Sequence, residues 1–554
     1  MATRNVAPEK RPAFSGKPFL ARFVDIAAQA GLTMQFVSGN PTSKKYIIEA
    51  NGSGVAFLDY DGDGRLDIFL VNGSLAEGPP PQAVSRLYRN LGDGRFADVT
   101  EQAGVGRTGW GNGVCAGDID NDGLLDFLVT YWGTNAFYHN LGNGRFEEIA
   151  QSAGVAGPPK QWHSGCTFLD YDRDGLLDLF IASYQKFDFA TTPLPGKQAT
   201  CQWKGLPVFC GPRGLPFGSV RLFRNRGRLR FEDVTEASGI SEARNFYAFT
   251  AVAADLNEDG WTDIYVASDS TPSLFFRNNR DGTFSEIGVE AGVAFNEHGF
   301  EQGGMGVAVG DIDSDGRLDL LKTNFAGDHP NVYRNQGKGI FEDIVLRAGL
   351  AVNPQYVGWG IGFIDLDNDG LPDIFQVNGH VYPELEAHNP AEPYRNPRLV
   401  YRNLGSGKFE DVSHLAGPGV AEQKSSRGAA FGDFDNDGDI DVVVMNMSDR
   451  PSLLRNDLKS SHHWLKIRLE GTRSNRSAIG AVVRLEAGGQ WQVQPVLSQS
   501  SFISQNDLRL HFGLGAAQRA TRIVVRWPSG LQEEFPGAEA GQILKLTEGS
   551  GKSQ

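Results

Sequence analysis

Seven times along the 554-residue chain a nine-residue pattern recurs, D-x-[DN]-x-D-G-x-x-D, and no other feature restricts the fold as tightly. The copies supply Asp59, Asp61, Asp63 and Asp67; Asp118, Asp120, Asp122 and Asp126; Asp170, Asp172, Asp174 and Asp178; Asp255, Asn257, Asp259 and Asp263. They continue with Asp311, Asp313, Asp315 and Asp319; Asp365, Asp367, Asp369 and Asp373; and Asp433, Asp435, Asp437 and Asp441. Carboxylates crowded in this way repel one another unless a hard cation sits among the oxygens, and the spacing lets positions 1, 3, 5 and 9 converge on one Ca²⁺. Glycine at position 6 permits the sharp turn that wraps the loop. An EF-hand would need a glutamate at position 12 and flanking helices. Here an aspartate at position 9 closes the loop and strand-like runs flank it, so up to seven structural Ca²⁺ ions are expected.

Charge follows from the loops. The formal charge is -15, from 67 acidic and 52 basic residues, and seven Ca²⁺ ions would bring it to -1. The acidity is metal-site acidity and leaves no basic footprint for nucleic acid.

A second repeat interleaves with the first, from Leu87 to Val105, Phe137 to Val155, Leu222 to Ile240, Phe275 to Val293, Val332 to Leu350 and Val400 to Gly417. Each is an apolar run, an Asn-Gly-rich turn and another apolar run, which is a hairpin signature. One unit therefore holds four short strands, and the near-constant repeat marks an all-β, seven-bladed propeller. After the seventh loop the fourth strand is missing, and residues 22–32 at the start of the chain match it. That segment is expected to complete the last blade and close the ring. The reading is a flexible segment at 1–20, a propeller at 21–459, a small β-sandwich at 460–549 built from alternating apolar and polar runs, and a tail at 550–554.

The loops with their Gly-Val-Ala lead-in resemble the FG-GAP or VCBS repeats of integrin-α-type propellers. SAIGAVVR at 477–484, SQNDLRLHFGLG at 504–515 and WPSG at 527–530 are similar to the ASPIC/UnbV domain. Together with CQWKGLPVFCGPRGL at 201–215 and NGHVYP at 378–383, they resemble the cartilage acidic protein family and its bacterial relatives. The resemblance implies a secreted calcium-binding propeller and no settled activity.

Residues 1–20 show no apolar signal core, and no run is long enough to span a membrane. Calcium modules of low affinity suit millimolar extracellular calcium, which favours an extracellular or periplasmic protein with its leader removed; a cytoplasmic one is the alternative. Cys201 and Cys210 are expected to pair in an oxidising compartment, and Cys115 and Cys166 to be buried free thiols.

The face opposite the ions carries the long inserts 183–220 and 378–397, and loops on a rigid scaffold are where recognition residues gather. Trp110, Asn112, Trp162, His163, Tyr247, Glu301, Gln302, Trp359 and Arg427 are the candidates there for a carbohydrate or protein ligand, unless they plug the channel instead. His163, His298, His329 and His380 are candidates for a catalytic or metal cluster in an alternative reading as a lyase, hydrolase or cyclase.

Overall fold

The computed structural model describes residues 6–388 and 392–553. Its first part comprises seven antiparallel sheets, six of four strands and the fourth of five, with Gln302–Gly303 added, and in each the strand before an aspartate loop lies innermost. The inner strands are Val55–Leu58, Gly111–Gly117, Gln161–Leu169, Ala248–Ala254, Val307–Gly310, Gly358–Ile364 and Ser426–Gly432. Each neighbours the next, and the seventh neighbours the first, so the sheets form a propeller ring. The seventh sheet takes its outer strand, Phe23–Asp25, from the start of the chain, with Phe23 opposite Asn456 and Asp25 opposite Leu454.

Glycine lets the inner strands come close together at the axis. A Cβ on Gly113 would stand 2.4 Å from the Ser164 carbonyl oxygen, and one on Gly306 would stand 2.0 Å from that of Trp359. Side chains that alternate along these strands fill the space between sheets, giving separate apolar cores for adjacent pairs.

An asparagine at the end of the third strand of every sheet ties the ring together. Asn90, Asn140, Asn225, Asn278, Asn335, Asn403 and Asn456 each donate a side-chain N–H to a carbonyl at loop position 2 of the preceding sheet, at 2.8–3.0 Å. The bond from Asn90 reaches Phe434, across the seam between the first and seventh sheets. Sequence reasoning saw these residues only as turn formers.

The C-terminal part packs a three-stranded sheet against a five-stranded one around Leu465, Val483, Leu485, Phe512, Ile523 and Val525. At the two termini, residues 6–20 run along the sixth sheet, where Arg11 pairs with Asp411 at 2.8 Å and the Ser15 hydroxyl donates to Glu410 at 2.7 Å. The tail adds Lys552–Ser553 as an edge strand beside Gln532–Pro536. Residues 1–5 lie outside the described ones.

Cys115 and Cys166 are not free thiols. They form a disulfide between neighbouring inner strands, their Cα atoms 5.9 Å apart, because the ring brings residues 51 positions apart together at the axis. Cys201 is bonded to Cys210.

Candidate functional site

Each aspartate loop is built in the same way. Glycine at position 6 has φ between 84° and 98°, and its N–H donates to the position-1 carboxylate at 2.8–3.2 Å in all seven loops. Position 4 is also left-handed, including the non-glycine residues Asn121, Arg173, Glu258, Ser314, Asn368 and Asn436. Such backbone is held only where the surroundings over-determine it. The position-9 carboxylate accepts two backbone N–H bonds; for Asp67 these come from Tyr60 at 3.2 Å and Asn90 at 2.8 Å.

These bonds leave oxygens facing inward. Oδ1 of Asp59, Asp61, Asp120, Asp170, Asp172, Asp313 and Asp367 is buried with no hydrogen-bond partner. Within loops one and three, carboxylate oxygens of positions 1, 3 and 9 lie within 4.8 Å of one another. Burial pushes Asp67 and Asp319 up to about 8, and burial with the like charges of Asp174 and Asp172 pushes Asp170 up to about 7. Buried oxygens without donors among crowded carboxylates are the donor set a hard divalent cation takes. In loop two, His139 joins Asp120 and Asp126, its Nδ1 3.0 Å from Asp126 Oδ1. Sequence reasoning missed His139, although it stands where all six other sheets carry arginine beside the asparagine.

The C-terminal domain covers the loop face. Asp118 N–H donates to Ser477 Oγ at 2.9 Å, Arg476 N–H to Asn121 at 2.7 Å, Arg484 to the Gly316 carbonyl at 3.0 Å and Arg509 to Asn436 at 2.8 Å. His511 Nε2 lies 2.7 Å from Asn368 Oδ1, Lys466 is paired with Asp433, and Arg526 with Asp255.

From this domain, residues 498–507 enter the channel and bond to every inner strand. Gln505 exchanges backbone bonds with Val55 and Phe57; Val114 N–H donates to the Ile503 carbonyl, and Ser501 exchanges two 2.7 Å bonds with Val307. Cys166 N–H donates to the Gln499 side chain, Ile503 N–H to Thr250, Ile361 N–H to the Ser501 hydroxyl and Phe431 N–H to Asn506. The channel is plugged from the loop face.

The opposite mouth is filled as well, which corrects the expected ligand set. Trp110, Asn112, Trp162, His163, Tyr247, Gln302, Trp359 and Arg427 are all buried, and of the nine only Glu301 is partly exposed, where it pairs with Arg213. Insert 183–220 folds Tyr184, Phe187, Trp203 and Phe209 over them in one apolar core that also holds Phe502 of the plug. Trp162 donates to Asn112 at 2.8 Å, and Arg427 stacks 4.3 Å over Trp359 while donating to the Ala50 carbonyl. These side chains close the channel and present no concavity.

The histidines do not form one cluster either. His163 is buried against Ser183 Oγ at 3.0 Å, and burial pushes it down to about 3. His380 sits among Trp203, Phe325 and Tyr382, pushed down to about 3 by burial and Arg427. His329 is buried and likewise lowered, and His298 is exposed beside Glu297.

Among the described residues, a groove of about 1170 Å³ lies open on this face over the third and fourth sheets. Lys160, Gln161, Lys186, Phe217, Arg221 and Arg244 line it. Phe217 is 38% exposed and rests on the Tyr247 ring at 4.8 Å. Lys160 and Arg221 are paired with Asp188 and Asp233, whereas Lys186 and Arg244 point to solvent. The sequence marked insert 183–220, which supplies Lys186 and Phe217, but not the groove itself, whose walls come from four separate segments.

The fold and the loops define the class. FG-GAP-like repeats match residues 59–129, 118–181, 255–321 and 392–444, and the ASPIC and UnbV family matches 471–553. The chain therefore joins FG-GAP-like repeats to a C-terminal ASPIC and UnbV domain. Human cartilage acidic protein 1 is 26% identical over 532 residues, covering 92% of this chain and 72% of that protein. The Xenopus tropicalis protein of the same name is 25% identical over 525 residues, covering 90% of this chain and 72% of that protein. A solved Agrocybe aegerita lectin that recognises non-reducing terminal N-acetylglucosamine covers 73% of this chain and 94% of its own, with TM-score 0.38 and 19% identity.

Proposed function

We propose that the chain is an extracellular-type binding module, stabilised by calcium in its aspartate loops, whose ligand is a carbohydrate held in the groove of the third and fourth sheets. Calcium supplies the positive charge that the buried, donorless oxygens of Asp59, Asp170 and Asp367 lack. The position-9 aspartates and the seven asparagines hold the loops in register, and the C-terminal domain packs over their face. Two disulfides suit an oxidising compartment, and among the described residues no helix is long and apolar enough to cross a membrane.

The observation that carries the ligand reading is Phe217, an aromatic face left exposed on a rigid backing, flanked by Gln161, Lys186 and Arg244. An aromatic platform with a few polar groups suits a sugar ring, and the free cations suit an acidic one. No observation favours the alternative of an enzyme: His163 and His380 are sealed and held neutral.

The test is binding of the calcium-loaded chain to an array of neutral and acidic oligosaccharides. Phe217→Ala and Arg244→Ala should each weaken retention at least about tenfold, about 1.4 kcal/mol, with unchanged melting. Retention indifferent to both changes, or binding to protein ligands alone, would sink the assignment.

A further inference from the structure

The fourth loop is the one copy with an asparagine, Asn257, at position 3. Among the described residues, unpartnered buried carboxylate oxygens occur in loops one, two, three, five and six; the seventh, where Lys466 is paired with Asp433, and the fourth have none. The Asn257 amide nitrogen donates to Asp259 Oδ2 at 3.1 Å and to Asp263 Oδ1 at 3.5 Å. That nitrogen stands between the position-5 and position-9 carboxylates, where a cation would bring them together.

The remaining charge is met by arginines. Arg280 donates to Asp259 Oδ2 through Nε at 3.2 Å and Nη2 at 2.8 Å. Arg526, from the C-terminal domain, is paired with Asp255 Oδ2. Arg173, from the third loop, donates to the Gly260 carbonyl and lies 4.1 Å over the Trp261 ring. Asp255 and Asp259 are thus each paired with a guanidinium group, and a third guanidinium lies on the loop backbone. A divalent ion added there would meet their repulsion and would have to displace the Asn257 amide.

We propose that the fourth loop takes no metal ion and that Arg526 has taken over its charge balance, converting an ion site into an anchor for the C-terminal domain. This rests on the reading that the other loops bind calcium. The anchor resembles the Lys466–Asp433 pair, which also sets a cation of the C-terminal domain on a position-1 carboxylate. It holds whether or not calcium is present, so this charged attachment of the C-terminal domain to the ring persists in the metal-free protein.

Trp261 at position 7 makes the loop directly observable, because a lanthanide in that loop would lie beside an indole that can sensitise its emission. The full chain is loaded with terbium and excited through tryptophan, and bound ions are counted by mass spectrometry of the native protein. Trp261→Phe should leave the emission of the wild-type chain unchanged. The double variant Asn257→Asp, Arg526→Gln should bind one more ion per chain, with new emission that Trp261→Phe removes. Trp261-dependent emission from the wild-type chain would overturn the assignment. So would a folded double variant that gains no ion, as judged by wild-type circular dichroism. Absence of bound ions from every loop would instead overturn the calcium reading beneath it.

Discussion

Asn90→Ala is the sharpest test of how the ring is held. Asn90 is 1% exposed, and its amide donates to the Leu66 carbonyl at 3.0 Å and the Phe434 carbonyl at 2.8 Å, while its oxygen accepts the Gly92 N–H at 2.9 Å. Alanine removes all three bonds and leaves two carbonyls and an amide without their partner. At about 1 kcal/mol for each net bond, the loss is about 3 kcal/mol. With an unfolding entropy of about 2.1 cal/mol/K per residue, that lowers the melting temperature by about 2–3 °C. Denaturant unfolding in saturating calcium is the better assay, because an unchanged slope with a lower midpoint isolates stability from compactness. Leu91→Ala, at a neighbouring site 47% exposed, should stay within about 0.5 kcal/mol. A loss below about 1 kcal/mol for Asn90→Ala would refute the staple, and with it the claim that this asparagine locks the first sheet to the seventh.

Two other changes test the plug and the sealed mouth. Phe502→Ala should cost about 3–5 kcal/mol, since the ring is 0% exposed, 4.7 Å from Trp359 and 5.5 Å from Phe249; a loss under 1 kcal/mol in calorimetry would show the plug to be loosely held. His163 and His380 are depressed to about 3 against an ordinary 6.5, so the stability they contribute is present above pH 6.5 and is lost as pH falls toward 3. Each contributes a slope approaching about 1.4 kcal/mol per pH unit in that window. His163→Asn and His380→Asn should therefore flatten the acid limb of stability against pH between 6 and 4, and an unaltered slope would mean the rings protonate inside the fold.

The chain's own spacing determined the aspartate loops, the sheet strands between them and the use of the N-terminal strand to finish the last sheet. These depend on neighbours within a few residues: a glycine able to turn at position 6, carboxylates two apart, apolar alternation of period two. The asparagine staples were visible as letters but not as bonds, because their partners lie in another sheet.

Only the tertiary structure decided what becomes of the two faces. Trp110, Trp162, Tyr247 and Trp359 read as an aromatic rim and are packed away, since insert 183–220 returns over them from a distance no local pattern reports. Cys115 and Cys166 looked like ordinary core thiols until the ring set their strands side by side. The C-terminal sandwich read as a separate module, yet it caps the loops, sends residues 498–507 down the channel and offers Lys466 and Arg526 to loop carboxylates. A repeat specifies its own unit because the forces within the unit are local. How the units close, and what then fills the space at their axis, depends on contacts hundreds of residues apart.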